Sequence, residues 1–289
     1  MNFSSFIDRL RPHPPAPPVK STSRAGRDLW KAVPVGLVLL SLVALSLVWN
    51  TVVFAFLVLF VLLYALWEVT GAFLVREIRL PLFPLLCGTG AMVYAVWNFD
   101  FMHTFVMYLV SALTAFIWTF FYDNIRVFWH RLAGIFVLTW ISFFGIFSLL
   151  LLHLPQGIGW IAALVLLPAA SDTGGWLAGV LFGKHPMAPR ISPKKTWEGL
   201  AGSLALAILL AFIVLVWSMH YSWYWAPLVG ILATIIGTSG DLAESSLKRW
   251  LGVKDMGSIF PGHGGMLDRI DSIVLWAPAL YCVAYFFLI

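Results

Sequence analysis

The sequence predicts an all-α polytopic membrane protein with about nine transmembrane helices, a cytoplasmic N-terminus and a polar site at the cytoplasmic face. Three observations carry that reading. Of 289 residues, 61% are hydrophobic and only 11% charged, whereas a soluble domain is about a quarter charged. The hydrophobic residues gather into nine long runs. All 18 Lys and Arg fall on one alternate set of the segments between those runs.

The runs cover residues 32–49, 51–67, 80–97, 101–122, 132–152, 158–182, 200–219, 223–239 and 272–289. Each falls within the roughly 17–25 residues that a helix needs to cross the hydrocarbon core. Only Asn50 separates the first two. One helix over both would be far longer than a bilayer is thick, so a tight helical hairpin is expected. Trp30, Trp49, Trp67, Trp97, Trp160, Trp217 and Trp223 lie at run ends, where interfacial belt residues sit. Cys87 and Cys282 lie inside runs and read as small buried hydrophobes.

The segment before the first run holds Arg9, Arg11, Lys20, Arg24, Arg27 and Lys31. The second gap holds Arg76 and Arg79, and the fourth Arg126 and Arg131. The sixth holds Lys184, Arg190, Lys194 and Lys195, and the eighth Lys248, Arg249, Lys254 and Arg269. The odd-numbered gaps hold none. The positive-inside rule then places the N-terminus and the even gaps in the cytoplasm and the C-terminus outside. The same distribution accounts for the net charge of +5 without a nucleic-acid partner, because the basic residues serve membrane topology.

Residues 1–31 read as a cytoplasmic, basic, Pro-rich leader, disordered or polyproline-II across 11–20. Its charged lead is too long for a signal peptide, and the run that follows is long enough to span. Residues 32–152 form helices one to five, and residues 153–289 form a catalytic membrane region with cytoplasmic loops 183–199 and 240–271.

Those two loops carry the chemistry. Asp172 stands in the sixth run between Pro168 and Gly174-Gly175, where a break or kink is expected. An acid at that depth is a functional candidate by default; a carboxylate bonded to a neighbouring helix is the alternative. Ser192, Lys194, Lys195 and Thr196 precede the seventh run. Lysines at a helix entrance oppose the macrodipole and point to an anionic ligand, with positive-inside anchoring as the alternative. Glu198 reads as a dipole partner in the first helical turn.

Residues 237–272 form a polar island holding five of the 13 carboxylates. Asp241 and Glu244 share one helical face, and Ser245, Lys248 and Arg249 follow. The turn from Pro261 through Gly262, His263, Gly264 and Gly265 cannot be helical. Asp268 and Asp271, three residues apart at the mouth of the last run, suit helix capping. Beside Asp241 and the glycine turn they also suit a shared Mg²⁺, a hard cation that prefers oxygen. His263 fits a phosphate contact or loop hydrogen bond better than a Mg²⁺ ligand.

Ser245-x-Leu247-Lys248-Arg249, four residues, then Lys254-Asp255-x-Gly257, Phe260-Pro261-x-His263-Gly264-Gly265-Met266-x-Asp268-Arg269-Ile270-Asp271 resembles the signature of the CDP-diacylglycerol synthases, or phosphatidate cytidylyltransferases. So do Gly240-Asp241-Leu242-x-Glu244-Ser245 and the stretch from Phe182 to His185 and on from Ile191 to Gly199. The resemblance runs from about Leu167 to Ser272, and the N-terminal half matches in hydropathy alone. Gly175-Trp176 departs from it, because the family shows Ala-Tyr there; the departure bears on substrate access.

The resemblance implies that CTP and phosphatidic acid give CDP-diacylglycerol and pyrophosphate, in phospholipid biosynthesis. It assigns Mg²⁺, alone or with a second cation, to Asp241, Asp268 and Asp271. Lys195 joins these as a catalytic residue. Substrate contacts go to Asp172, Ser192, Lys194, Lys195 again, Thr196, Ser245, Lys248, Arg249, Lys254, His263, Gly264, Gly265 and Arg269. An integral protein of a bacterial inner membrane is expected, with its site facing the cytoplasm and a homodimer left open. A CTP-dependent polyprenol kinase is the alternative enzyme, but it does not call for the whole signature from Ser245 to Asp271. An ion-coupled transporter would place polar residues near the middle of several helices; here they cluster at the ends.

Overall fold

The computed structural model describes residues 12–15, 29–122, 127–189, 192–257, 259 and 264–288. The rest of the leader lies outside them, as do Arg126, Arg190 and the predicted site residue His263. The helices are α1 (Leu29–Trp49), α2 (Thr51–Leu74), α3 (Leu82–Asn98), α4 (Phe101–Trp118), α5 (Val127–Val137), α6 (Phe144–His153), α7 (Gly157–Phe182), α8 (Trp197–Ala211), α9 (Trp225–Leu251) and α10 (Leu267–Val283). A π-helical stretch, Leu138–Phe143, joins α5 to α6, so that Phe128–His153 forms one apolar span. Seven such helical stretches among the described residues are long and apolar enough to cross a membrane, and Pro34–Trp49 and Leu82–Asn98 are shorter apolar helices.

Several boundaries differ from the hydropathy reading, among them the start of α5 at Val127 rather than Leu132. α2 runs on past Trp67 to Leu74, α9 runs past Ser239 to Leu251, and α10 starts at Leu267 rather than Ser272. For α9 the cause is local. Polar residues at a helix end still propagate the helix when they are good helix formers, as Asp241–Leu251 mostly are. A two-stranded antiparallel hairpin, β1 (Pro186–Ala188) with β2 (Ser192–Thr196), adds strand to a chain predicted to be all-α. Its Ser-Pro-Lys-Lys-Thr strand has no apolar alternation from which it could be foreseen.

The chain divides into two compact units, Met1–Phe143 with Lys248–Arg269, and Phe144–Leu247 with Ile270–Ile289. In the first, the expected hairpin forms at Asn50, whose side chain caps α2 by accepting from Val52 N–H at 2.8 Å. Leu62, Leu66, Val69, Leu85, Met92, Leu138 and Ile141 form its core. Polar side chains inside it satisfy one another: Thr89 and Ser142 hydroxyls meet at 2.7 Å, and Thr89 also donates to Leu85 O. Arg131 lies over the Phe116 and Phe120 rings, at 4.8 and 4.2 Å from their centroids, a favourable arrangement for a cation near apolar surface.

The second unit is organised by the crossing of α7 and α8. A Cβ on Gly174 would strike Gly202 O, and one on Gly202 would strike Ala178 Cβ. Small residues let the two backbones approach closely, which is how helices associate where lipid removes the hydrophobic drive. The Ser203 hydroxyl crosses this seam to donate to Ser171 O at 2.6 Å. Gly175 meets the same hydroxyl, so the alanine usual in the resembling family would need it to shift. The neighbouring Trp176 is exposed.

Two expectations are corrected here. Trp160 does not face outward as a belt residue would: it is fully buried and donates through Nε1 to Pro155 O at 3.0 Å. Trp49, Trp217 and Trp223 are exposed. Cys87 and Cys282 are exposed rather than buried. A thiol on an apolar helix surface behaves as a small hydrophobe, so lipid accommodates it as a core would.

The α7–α8 seam generates a stability prediction. Gly202→Val should destabilise the protein in detergent by about 1–3 kcal/mol through overpacking, whereas Ser203→Ala should cost about 0.6 kcal/mol for one interhelical hydrogen bond. Thermal denaturation of the two purified variants against the parent chain checks the order.

Candidate active site

In the second unit α9 and α10 bring three acids together. One carboxylate oxygen from each of Asp241, Glu244 and Asp271 lies within 4.8 Å of the others. Asp241 and Glu244 share a face of α9, as their spacing predicts. Gly240 lets α10 come close, since a Cβ there would stand 3.0 Å from Asp271 O. Glu244 and Asp271 are buried, at 1% and 7% exposure. Three carboxylates at this separation repel unless a cation or protons intervene. An all-oxygen donor set, part buried and anionic, fits Mg²⁺.

Lys195 supplies one counter-charge, its Nζ standing 2.5 Å from Asp241 Oδ2. It reaches there from β2, and the alternation of a strand turns its neighbour Lys194 the other way. Lys194 is exposed. The two lysines are therefore not one donor cluster. Thr196, also predicted to touch substrate, caps α8 by accepting from Gly199 N–H at 3.1 Å. Ser192 pairs with Ala188 in the hairpin. Glu198 does more than face the dipole: Oε2 accepts from the Lys184 and His185 amides at 3.2 Å each, and Oε1 meets His185 Nδ1 at 2.6 Å. It locks the hairpin onto the start of α8, and so sets the strand that carries Lys195.

Asp172 is exposed on α7, which runs unbroken from Gly157 to Phe182. The expected break there does not occur. Pro168 removes a single backbone donor, and the close fit of α7 to α8 at Gly174 holds the helix together.

In the first unit Asp268 is the centre. Its Oδ1 accepts from Lys248 Nζ at 2.7 Å, and its Oδ2 accepts from Met256 N–H at 3.0 Å and Gly265 N–H at 2.6 Å. Gly264 has φ +78, a left-handed conformation that favours glycine. Arg249 and Lys254 are exposed, whereas Ser245 and Arg269 are half-buried.

One residue escaped the sequence reading altogether. Glu68 of α2 is 3% exposed, and its Oε2 accepts from the Met266 and Leu267 amides at 2.5 and 3.2 Å. A signal was there: a lone carboxylate after Trp67 in an apolar stretch is a functional candidate. Ending the run at Trp67 hid it.

The chain matches the model of a family described as the cytidylyltransferase family over residues 30–287. It is 36% identical over 279 residues to the phosphatidate cytidylyltransferase of Mycobacterium bovis, covering 92% of this chain and 91% of that protein. The Mycobacterium leprae protein of the same name is 33% identical over 271 residues, covering 88% and 87%. The Bacillus subtilis protein of that name is 43% identical over 113 residues, 39% of this chain and 42% of its own. The likeness to the mycobacterial proteins takes in the N-terminal half, where the motifs are silent, and the chain belongs to the cytidylyltransferase family.

Proposed function

We propose that this chain is a phosphatidate cytidylyltransferase: CTP and phosphatidic acid give CDP-diacylglycerol and pyrophosphate. The observation that carries the reading is the convergence of Asp241, Glu244 and Asp271, with Lys195 on Asp241, in a chain whose near-full-length relatives bear that name. A phosphate oxygen of the lipid attacks the α-phosphorus of CTP. A new P–O–P linkage forms, the bond from the α-phosphorus to the bridging oxygen of the β-phosphate breaks, and pyrophosphate leaves. Such a transfer needs no covalent nucleophile; positioning and neutralisation of charge supply the catalysis.

Asp241, Glu244 and Asp271 would hold Mg²⁺. The resemblance assigns Asp268 to that ion as well. When bound, the ion neutralises charge on the triphosphate and the leaving pyrophosphate. Lys195 is the group most readily transferred from carboxylate to phosphate, because its present partner is Asp241, a candidate ligand of that ion. Lys194, Arg249, Lys254 and Arg269 are assigned to phosphate contacts on the resemblance and on their charge, and Asp172 on the resemblance alone. Nine spans, with the loops of Lys194 and Lys254 in the cytoplasm, follow from the one-sided distribution of all 18 Lys and Arg. That face is also where CTP is available.

Purified full-length chain in detergent, given labelled CTP, phosphatidic acid and Mg²⁺, should release labelled CDP-diacylglycerol. Absence of product with a folded protein would sink the proposal. Asp268→Asn and Asp271→Asn should each lower turnover about a hundredfold or more, since losing a ligand removes several kcal/mol of charge stabilisation. Near-normal turnover at limiting Mg²⁺ would remove that residue from the metal site.

Lys195→Gln should depress turnover or raise KM for CTP or lipid more strongly than Lys194→Gln, as only Lys195 reaches an acid of the cluster. Separate titrations of the two substrates would show it, and unchanged kinetics for both substrates would leave only the anchoring explanation. Single cysteines at 194 and 254 should resist an impermeant reagent on intact cells, while cysteines at 50, 100 and 220 should react. Strong labelling of position 194 or 254 from outside would overturn the topology.

A further inference from the structure

We infer that Glu68 is a positioning residue for the reaction: through the start of α10 it fixes where Asp268 stands. This rests on the reading that Asp268 takes part in the reaction. The helix α10 begins with backbone donors that have no partner within the helix. Glu68 Oε2 takes those of Met266 and Leu267, and Asp268 Oδ2 takes that of Gly265. The loop before the helix is shaped around the same carboxylate. A Cβ on Gly257 would strike Glu68 Oε1, and one on Gly265 would strike Glu68 Oε2. Both glycines are needed for that close approach, and both belong to the signature from Ser245 to Asp271.

Glu68 thus reaches across 198 residues of sequence to the amide next to Gly265. Its Oε1 is buried and has no hydrogen-bond partner among the described residues. A buried carboxylate in that state is expensive to keep for packing alone. The Gly265 amide and the Met256 amide then aim Asp268 Oδ2, and Lys248 holds Oδ1. Removing Glu68 frees two donors at the helix start and opens space beneath both glycines. Asp268 would lose the frame that aims it, although no atom of Glu68 need touch substrate. Groups that orient a functional carboxylate in this way are commonly worth about 10–100-fold in activity or metal affinity.

The test uses the full-length chain in detergent with Glu68→Ala, Glu68→Gln and Gly265→Ala. Turnover per folded protein, half-saturating Mg²⁺ and hydrogen exchange of the peptide spanning 254–268 are measured. Glu68→Ala and Gly265→Ala should lower kcat about tenfold or more and raise half-saturating Mg²⁺, with faster exchange at Met266 and Leu267. Glu68→Gln keeps an oxygen for those amides, so it should restore protection and recover kcat to within about threefold of the parent. A lower thermal midpoint is expected of all three and decides nothing.

Unchanged kcat and Mg²⁺ dependence in a folded Glu68→Ala, or in Gly265→Ala should the first not fold, overturns the proposal. So does a Glu68→Gln as impaired as the alanine variant, because charge and not the capping geometry would then matter. Asp268→Asn in the same assay separates the two levels. Full activity there refutes a role for Asp268 in the reaction, while the exchange data still decide whether Glu68 holds the loop.

Discussion

Lipid offers a polar group no hydrogen-bond partner, so each one placed in or beside a membrane span must find its partner inside the protein. That constraint governs the architecture here. Thr70, Thr89, Ser111 and Thr234 return their hydroxyls to the carbonyl four residues back. Trp160 gives its indole N–H to Pro155 O. The start of α10, which carries two of the candidate acids, has its backbone donors taken by Glu68 and Asp268.

The same constraint explains why glycines crowd the two regions that matter. Where α7 meets α8, glycines at 174, 175, 199 and 202 replace side chains with backbone proximity, and dispersion and one serine bond hold the seam. That seam carries β2, through Thr196 and Glu198, and so carries Lys195. In the first unit Gly257 and Gly265 press against a carboxylate instead. Small residues serve helix association in one case and the seating of a buried charge in the other.

Charge is arranged unevenly within each group of acids. Asp268 is met by a lysine and two amides. The trio of Asp241, Glu244 and Asp271 draws positive charge from Lys195 at Asp241. A trio of that kind is suited to a divalent cation, and Lys195 is suited to leave Asp241 for a phosphate.

Hydropathy and charge alternation determined the class of this protein by themselves. Apolar runs of the right length, with Lys and Arg confined to alternate gaps, admit little besides a polytopic helical protein. The hairpin at Asn50, the pairing of Asp241 with Glu244 and the residues of the signature were legible for the same reason: their meaning lies in local spacing. Only the tertiary structure decided the rest. It separated Lys194 from Lys195 by folding their segment as a strand, and made Glu198 a clasp as well as a dipole partner. It grouped Asp271 with Asp241 and Glu244, and it brought Glu68 to Met266. None of these could be read from spacing, because contacts between residues tens or hundreds of positions apart depend on how helices cross, and helix crossing is set by which small residues face each other in three dimensions.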